Sequence, residues 1–128
     1  MTYKVLVVDD QQEYIFMIEK ALEANTNPFT VAKAINGLEA CALCEKFMPN
    51  LILMDWEMPE MSGIEAIRKL KSNPKTAIIP IIMVTSRPKQ ESFPLAIQAG
   101  ASDFLEKPFQ RKNLIQKVEK VLKIPMVA

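Results

Sequence analysis

Short apolar runs that stop abruptly at polar residues are the feature of this sequence that most restricts its fold. The runs cover residues 3–8, 51–54, 81–84 and 104–105, and they end at Asp9-Asp10, Asp55, Thr85-Ser86 and Glu106-Lys107-Pro108. Runs of this kind, rich in Val, Ile and Leu, are typical of strands buried on both faces of a parallel sheet. Because the carboxyl ends of such strands meet at one edge, we expect these polar residues to be neighbours.

Amphipathic segments separate the runs and predict helices. We expect these at about 12–25, 37–47, 62–72, 92–99 and 109–124, with a more polar edge strand at 29–35. The apolar residues of the first predicted helix are Tyr14, Met17, Ile18, Ala21 and Leu22. Ser62 and Glu65 form the pattern of a capping box, and Gly100 is the usual residue just past a helix end. Since Pro94 is tolerated only in a first turn, the fourth helix is expected to begin at or after Ser92.

Five consecutive strand–helix units predict an α/β fold. The expected architecture is a doubly wound, five-stranded parallel sheet with helices on both faces. A chain of 128 residues corresponds to one domain, so we assign residues 1–128 to a single unit.

Composition excludes several classes of function. Sixteen Lys and Arg against fifteen Asp and Glu leave a net charge of +1. The overall charge therefore gives no strong attraction to nucleic acid or to an anionic membrane surface. The chain has no histidine, which excludes His-based acid–base catalysis, His–metal sites and a role as a phosphohistidine carrier. No apolar stretch approaches the roughly 20 residues of a membrane helix, and the first residues do not resemble a signal peptide. We expect a cytoplasmic protein.

The two cysteines form a C-x-x-C pattern. A redox pair or half of a zinc site would use this spacing, but the sequence holds no other Cys or His to complete a zinc shell. Cys41 and Cys44 also lie in the second half of the predicted helix, away from the helix start where a thiol pKa is lowered. Packing of the helix is the favoured interpretation.

The acidic residues at the predicted strand ends point to a cation. Asp9 and Asp10 alone fit a cation site no better than they fit solvated loop acids, or a helix cap formed by Asp10. The addition of Asp55 favours a cation, because repulsion among three neighbouring acids would be costly without one. Mg²⁺ prefers oxygen ligands and keeps several waters, so carboxylates and a carbonyl suit it.

A phosphoryl group is the second ligand that this edge would suit. Lys107 supplies a positive charge, and Thr85 supplies a hydroxyl donor. Phosphoryl transfer requires mainly positioning and charge neutralisation. An aspartate such as Asp55 can itself attack and form an acyl phosphate.

The motifs resemble the receiver domain of bacterial response regulators over essentially the whole chain. They are Asp9-Asp10, the segment DWEMPEMSG at 55–63, Thr85 and the segment GASDFLEKPF at 100–109. The resemblance implies a flavodoxin-like, CheY-like sheet of strand order 2-1-3-4-5. It also implies that a histidine kinase or phosphotransfer protein donates the phosphoryl group, and that homodimers can form through the fourth helix, fifth strand and fifth helix.

The same resemblance implies roles for the residues of the site. Asp55 is expected to be the phosphoacceptor, and Lys107 to bind the phosphoryl group. Asp9, Asp10, Asp55 and the backbone carbonyl of Glu57 are expected to bind Mg²⁺. The bond from Lys107 to the following proline is expected to be cis.

Two further groups are assigned by the resemblance. Thr85 and Phe104 correspond to the switch hydroxyl and switch aromatic, although Phe104 on its own fits a plain core residue better. Glu57, Ser86 and Arg87 stand at positions that tune the lifetime of the phosphoryl group. We expect Glu57 and Arg87 to meet across the mouth of the site, the alternative being two solvated charges.

Two other functions remain to be weighed against a phosphoacceptor switch. A Mg²⁺-dependent aspartyl phosphatase of the haloacid dehalogenase type places an aspartate two residues after its nucleophile, where this chain has Glu57. A flavodoxin-like nucleotide binder requires a Gly-rich or Ser/Thr-rich phosphate loop after the first strand, and the chain has only three glycines. The switch is therefore favoured, with regulation rather than enzymatic turnover as its output.

Overall fold

Strands and helices alternate along the chain, as the apolar runs predict. The computed structural model describes residues 2–125. The strands are β1 (Tyr3–Val8), β2 (Phe29–Ala34), β3 (Leu51–Met54), β4 (Ile81–Thr85) and β5 (Asp103–Glu106). The helices are α1 (Gln12–Glu23), α2 (Gly37–Phe47), α3 (Gly63–Ser72), α4 (Lys89–Ala99) and α5 (Arg111–Leu122). The strands pair in parallel in the order β2-β1-β3-β4-β5, which confirms the predicted fold class.

The sheet separates two apolar clusters. Val5 and Leu53 face α1 and α5, while Leu6 and Ile52 face α2, α3 and α4. Strands β3 and β4 are buried at every position, because helices cover both faces of the sheet. This two-sided burial explains why their sequences are continuously apolar rather than alternating. Within residues 2–125, every helix is too short or too polar to cross a membrane.

Local sequence signals set the boundaries of α2 and α3. Asn36 caps α2 by accepting a hydrogen bond from the Glu39 N–H. Ser62 and Glu65 form the predicted capping box at the start of α3, with both reciprocal hydrogen bonds present. These side chains satisfy amide groups that the first turn of a helix leaves without partners.

The expected start of α4 was wrong. The helix begins at Lys89 rather than at Ser92, and Pro94 lies in its second turn. Pro88 occupies the N-cap and offers no side-chain acceptor, but Glu106 of β5 accepts a hydrogen bond from the Lys89 N–H at 3.1 Å. A cap from a distant strand thus lets the helix begin earlier. Its predicted end holds, because Gly100 follows with φ of 123°.

The cysteines lie on α2, in the position predicted for packing. Cys44 is buried in the cluster between α2 and the sheet, and Cys41 is half-buried with its Sγ 3.9 Å from the Ala66 carbonyl of α3. Burial raises the pKa of both thiols, and that of Cys44 to about 11. Because the thiolate is the reactive form, such a pKa is typical of an inert structural cysteine.

Candidate phosphoacceptor and metal site

The carboxyl ends of β1 and β3 bring two aspartates to the same edge of the sheet. Asp9 follows β1, Asp55 follows β3, and the Asp55 N–H donates to the Val8 carbonyl at 2.9 Å. Gly63 allows the loop after β3 to fold back closely, because a Cβ at this position would collide with the Asp55 carbonyl. The site is therefore held by strand pairing on one side and by a tight loop on the other.

Three carboxylates converge at this edge, as the sequence predicts. Carboxylate oxygens of Asp9, Asp10 and Asp55 all lie within 4.8 Å of one another. Asp9 is 2% exposed and Asp55 is 5% exposed, whereas Asp10 is open to solvent. Asp10 does not cap α1; the N-cap is Gln11, whose N–H donates to Asp9 Oδ1 at 2.9 Å.

Lys107 inserts its ammonium among these acids. Its Nζ lies 2.7 Å from Asp9 Oδ2 and 3.5 Å from Asp55 Oδ2. It also donates to Gln11 Oε1 at 3.2 Å, and it lies 3.9 Å from the centre of the Tyr14 ring. The bond from Lys107 to Pro108 is cis, as the family resemblance implies.

The ionised form of the Asp55 carboxyl group is disfavoured by its surroundings. Burial, and then the negative charge of Asp9, raise its pKa to about 6, while Lys107 and a 2.7 Å hydrogen bond from the Trp56 N–H oppose the rise. Desolvation disfavours the charged form of any acid, and a neighbouring carboxylate adds to that effect. The ionised site therefore carries unbalanced negative charge.

The donor set fits a hard divalent cation. Three carboxylates provide oxygen ligands within a small volume, and one ammonium compensates them only in part. Mg²⁺ binds through a few carboxylate oxygens and retains water, which suits a cluster with one exposed member. Asp10 is the exposed carboxylate of this cluster.

Thr85 lies beside Lys107 at the ends of β4 and β5. The Lys107 N–H donates to the Thr85 carbonyl at 2.8 Å, and the buried Thr85 hydroxyl accepts a hydrogen bond from the Arg87 N–H at 3.3 Å. Ser86 follows and is exposed. Phe104 is fully buried under α4, where its ring lies 5.7 Å from that of Phe93.

Glu57 and Arg87 form an ion pair, as predicted, two residues past Asp55 and Thr85 respectively. Arg87 Nε donates to Glu57 Oε1 at 2.6 Å, and the guanidinium lies 4.3 Å from the centre of the Trp56 ring. The Glu57 side chain is 64% exposed and that of Arg87 is 39% exposed. The alternative of two separate solvated charges is therefore wrong.

Three neighbours of the site escaped sequence reasoning. Gln11 contacts Lys107, the Tyr14 ring lies against the same ammonium, and Trp56 supports Arg87. Tyr14 fits the apolar periodicity of α1, so its pattern indicates core packing. Yet Ile15 takes the buried position and Tyr14 is only half-buried. Proximity of Tyr14 to the predicted strand end was the one available signal.

Comparison with known proteins agrees with this geometry. The profile of the response regulator receiver domain matches residues 5–119. The chemotaxis protein CheY of Bacillus subtilis is 38% identical over 122 residues, which cover 95% of this chain and 99% of that protein. The phosphate regulon transcriptional regulatory protein PhoB of Rhizobium meliloti is 33% identical over 123 residues, which cover 96% of this chain and 53% of that protein. The chain thus spans about half the length of that relative.

One similar protein of known structure contains a bound metal ion. The receiver domain of the sensor histidine kinase PA1611 from Pseudomonas aeruginosa PAO1 has a magnesium ion coordinated in its active site cleft. It superposes with a TM-score of 0.86 at 27% identity, covering 96% of this chain and 99% of that one. Together with the sheet order and the profile match, these similarities show that this chain belongs to the response regulator receiver domain family.

Proposed function

We propose that Asp55 accepts a phosphoryl group and that the resulting acyl phosphate switches the output of a two-component signalling pathway. The observation that carries this proposal is the buried Asp55 carboxylate, which lies beside Lys107 and within 4.8 Å of two further acids. A buried nucleophile flanked by a cation and a candidate metal site has what phosphoryl transfer requires.

Different residues of the site would have different roles in phosphoryl transfer. One Asp55 oxygen attacks the phosphorus, and the phosphorus–nitrogen bond of the donor phosphohistidine breaks with its electron pair remaining on the imidazole. The Trp56 N–H orients the carboxylate, while Lys107, 3.5 Å from Asp55, and the Thr85 hydroxyl would donate to phosphoryl oxygens. Each of these donors compensates negative charge that builds up during transfer.

Asp9, Asp10, Asp55 and the Glu57 carbonyl are the groups that would hold Mg²⁺. When bound, the cation neutralises phosphoryl charge and orients the reacting group. Lys107 would then exchange its ion pair with Asp9 for one with the phosphoryl group. The geometry of Lys107 between Asp9 and Asp55 is consistent with such an exchange.

The switch would act through Thr85 and Phe104. A phosphoryl group at Asp55 would draw the Thr85 hydroxyl inward, and Phe104 would fill the space left behind. Because Phe104 packs against Phe93, this movement would change the surface of α4, β5 and α5. A ligand of this kind shifts a two-state population by its differential affinity for the two states. The same surface is the candidate face for a homodimer.

Phosphorylation in vitro tests the proposal. The chain is incubated with Mg²⁺ and either acetyl phosphate or a phosphorylated histidine kinase, and any acyl phosphate is located by mass spectrometry. Asp55→Asn is expected to abolish labelling, while Asp103→Asn serves as the control because Asp103 also pairs with a lysine, Lys117, but at the start of β5. Stoichiometric label on the Asp55→Asn variant would refute the assignment. Steady turnover of phosphomonoesters would favour a phosphatase instead.

A further inference from the structure

The Tyr14 ring covers one side of the Lys107 ammonium. The Nζ lies 3.9 Å from the ring centre, well within the distance at which a cation interacts with an aromatic face. Only 3% of the Lys107 side chain is exposed, so the ring stands where water would otherwise solvate the charge. Such a contact is stronger in a desolvated setting than on an open surface.

The hydrogen bonds of the Lys107 ammonium are directional, whereas its contact with the Tyr14 ring is not. Asp9 and Gln11 accept hydrogen bonds from the ammonium at 2.7 and 3.2 Å, and Asp55 lies at 3.5 Å. An aromatic face attracts the cation without fixing the direction of any N–H bond. The ammonium can therefore turn from Asp9 toward a new acceptor at Asp55 while it stays against the Tyr14 ring.

Tyr14 is itself held on two sides. It belongs to the first turn of α1, where its N–H donates to the Gln11 carbonyl at 3.1 Å. Its ring lies 5.9 Å from the ring of Phe109, in the segment that follows Lys107 and Pro108. The aromatic pair thus joins the start of α1 to the end of β5, on the side of the sheet that also holds Ile15.

We propose that Tyr14 is a positioning residue for Lys107, which keeps the ammonium desolvated and free to turn between Asp9 and a phosphoryl group on Asp55. The inference rests on the proposed function of Lys107 in phosphoryl transfer. It goes beyond that function because nothing in the acid–lysine arrangement itself requires an aromatic ring at this position.

Paired variants measure the effect of the ring. The second-order rate constant for phosphorylation by acetyl phosphate with Mg²⁺ is compared for Tyr14→Leu, which removes the aromatic face, and Tyr14→Phe, which keeps it. The leucine variant is expected to react about fivefold more slowly or worse, and the phenylalanine variant within about twofold of the wild type. Phe16→Leu is the matched control, because Phe16 also lies on α1 beneath a lysine, Lys20, but is 61% exposed. Should Tyr14→Leu fail to fold, Tyr14→Met carries the same test.

A double variant separates failure of the inference from failure of the proposed function. If Tyr14 acts through Lys107, Tyr14→Leu has no further effect in a Lys107→Ala background. A wild-type rate for Lys107→Ala alone would overturn the proposed role of the lysine. A slow Lys107→Ala with a fast Tyr14→Leu, or full additivity of the two, would overturn the positioning role alone.

The metal-free protein supplies a readout of position that does not depend on activity. The Lys107 methylene protons next to Nζ are expected to show an upfield ring-current shift in NMR spectra. That shift should persist in Tyr14→Phe and vanish in Tyr14→Leu. Its persistence in the leucine variant would mean that the ring does not hold the lysine.

Discussion

Two ion pairs at the same edge of the sheet differ in almost every physical respect. Lys107 and Asp9 are buried, with side chains 3% and 2% exposed, and their partners include a further acid and an aromatic ring. Arg87 and Glu57 meet at a similar distance in largely open solvent. The two pairs thus have similar donor–acceptor distances but very different electrostatic environments.

The comparison shows that burial, rather than distance, decides how much each ion pair should matter for stability. A buried charge that loses its partner is strongly destabilising, whereas an exposed pair contributes little. Removal of Lys107 would therefore leave two buried acids without a cation, whereas Arg87 and Glu57 are each exposed enough to be solvated separately.

Replacing the cation of each pair should reveal the largest difference in stability between the buried and the exposed pair. Lys107→Met leaves Asp9 and Asp55 buried without compensation, and the free energy of unfolding is expected to fall by about 3 kcal/mol. Arg87→Met should cost less than about 1 kcal/mol. Urea unfolding at pH 7 with a chelator present measures both. Equal losses would contradict the distinction between the pairs.

Titration of Asp55 tests the buried side of the comparison. Its pKa of about 6 in the fold exceeds the unfolded value of about 4, so the folded protein binds more protons between these pH values. The contribution of Asp55 to stability is therefore complete below about pH 4 and is lost as the pH rises through about 6. In chelator at pH 7, Asp55→Asn should raise the free energy of unfolding by about 1 to 2 kcal/mol and reduce this pH dependence.

A carboxylate of the same cluster provides the control for that titration. Asp10 is exposed, and it is not among the causes of the raised pKa of Asp55. Asp10→Asn should therefore retain the decline in stability between about pH 4 and 6. A stability that no longer varies with pH in Asp10→Asn, or that varies as in the wild type in Asp55→Asn, would show that the pH dependence does not come from Asp55.

Mg²⁺ should stabilise the protein through the acidic cluster. At a concentration ten times its dissociation constant, a ligand of the folded state adds about 1.4 kcal/mol to the free energy of unfolding. The accompanying rise in melting temperature should disappear in Asp10→Ala, which removes the exposed carboxylate, and persist in Asp103→Ala. A full shift in the Asp10 variant would place the metal elsewhere.

The fold and most of the site could be predicted because their signals are local. Apolar runs that end in Asp9 and Asp55 reveal both the buried strands and the polar edge, since the carboxyl ends of parallel strands meet. The capping box of α3 likewise lies within four consecutive residues. The roles of Asp55, Lys107, Thr85 and Phe104 remain proposals, and those of Thr85 and Phe104 as a switch come from family resemblance alone.

What the sequence did not predict depends on contacts between distant segments. Helix α4 begins early because Glu106 of β5 caps its first amide, and α4 has no signal of its own for that contact. Tyr14 fits the pattern of a core residue of α1, but in the fold its ring lies against Lys107 and Phe109, which come from beyond the end of β5. Both errors arise where tertiary partners override local pattern.

The exposed pair provides the smallest expected effect and the most selective one. We expect the pair of Glu57 and Arg87, whose guanidinium lies over the Trp56 ring, to shield the proposed acyl phosphate on Asp55, so loss of the pair should admit water to it. Glu57→Ala and Arg87→Ala are each expected to shorten the phosphoryl lifetime about threefold to fivefold, the factor that corresponds to an interaction of up to about 1 kcal/mol. Arg87→Lys keeps the charge but loses the planar contact with Trp56, so an intermediate lifetime would identify that contact as part of the cover. Decay of the phosphoryl group is followed after the donor is removed, and melting temperatures should hardly change. Lifetimes that lengthen or stay constant in both alanine variants would show that this pair does not control access.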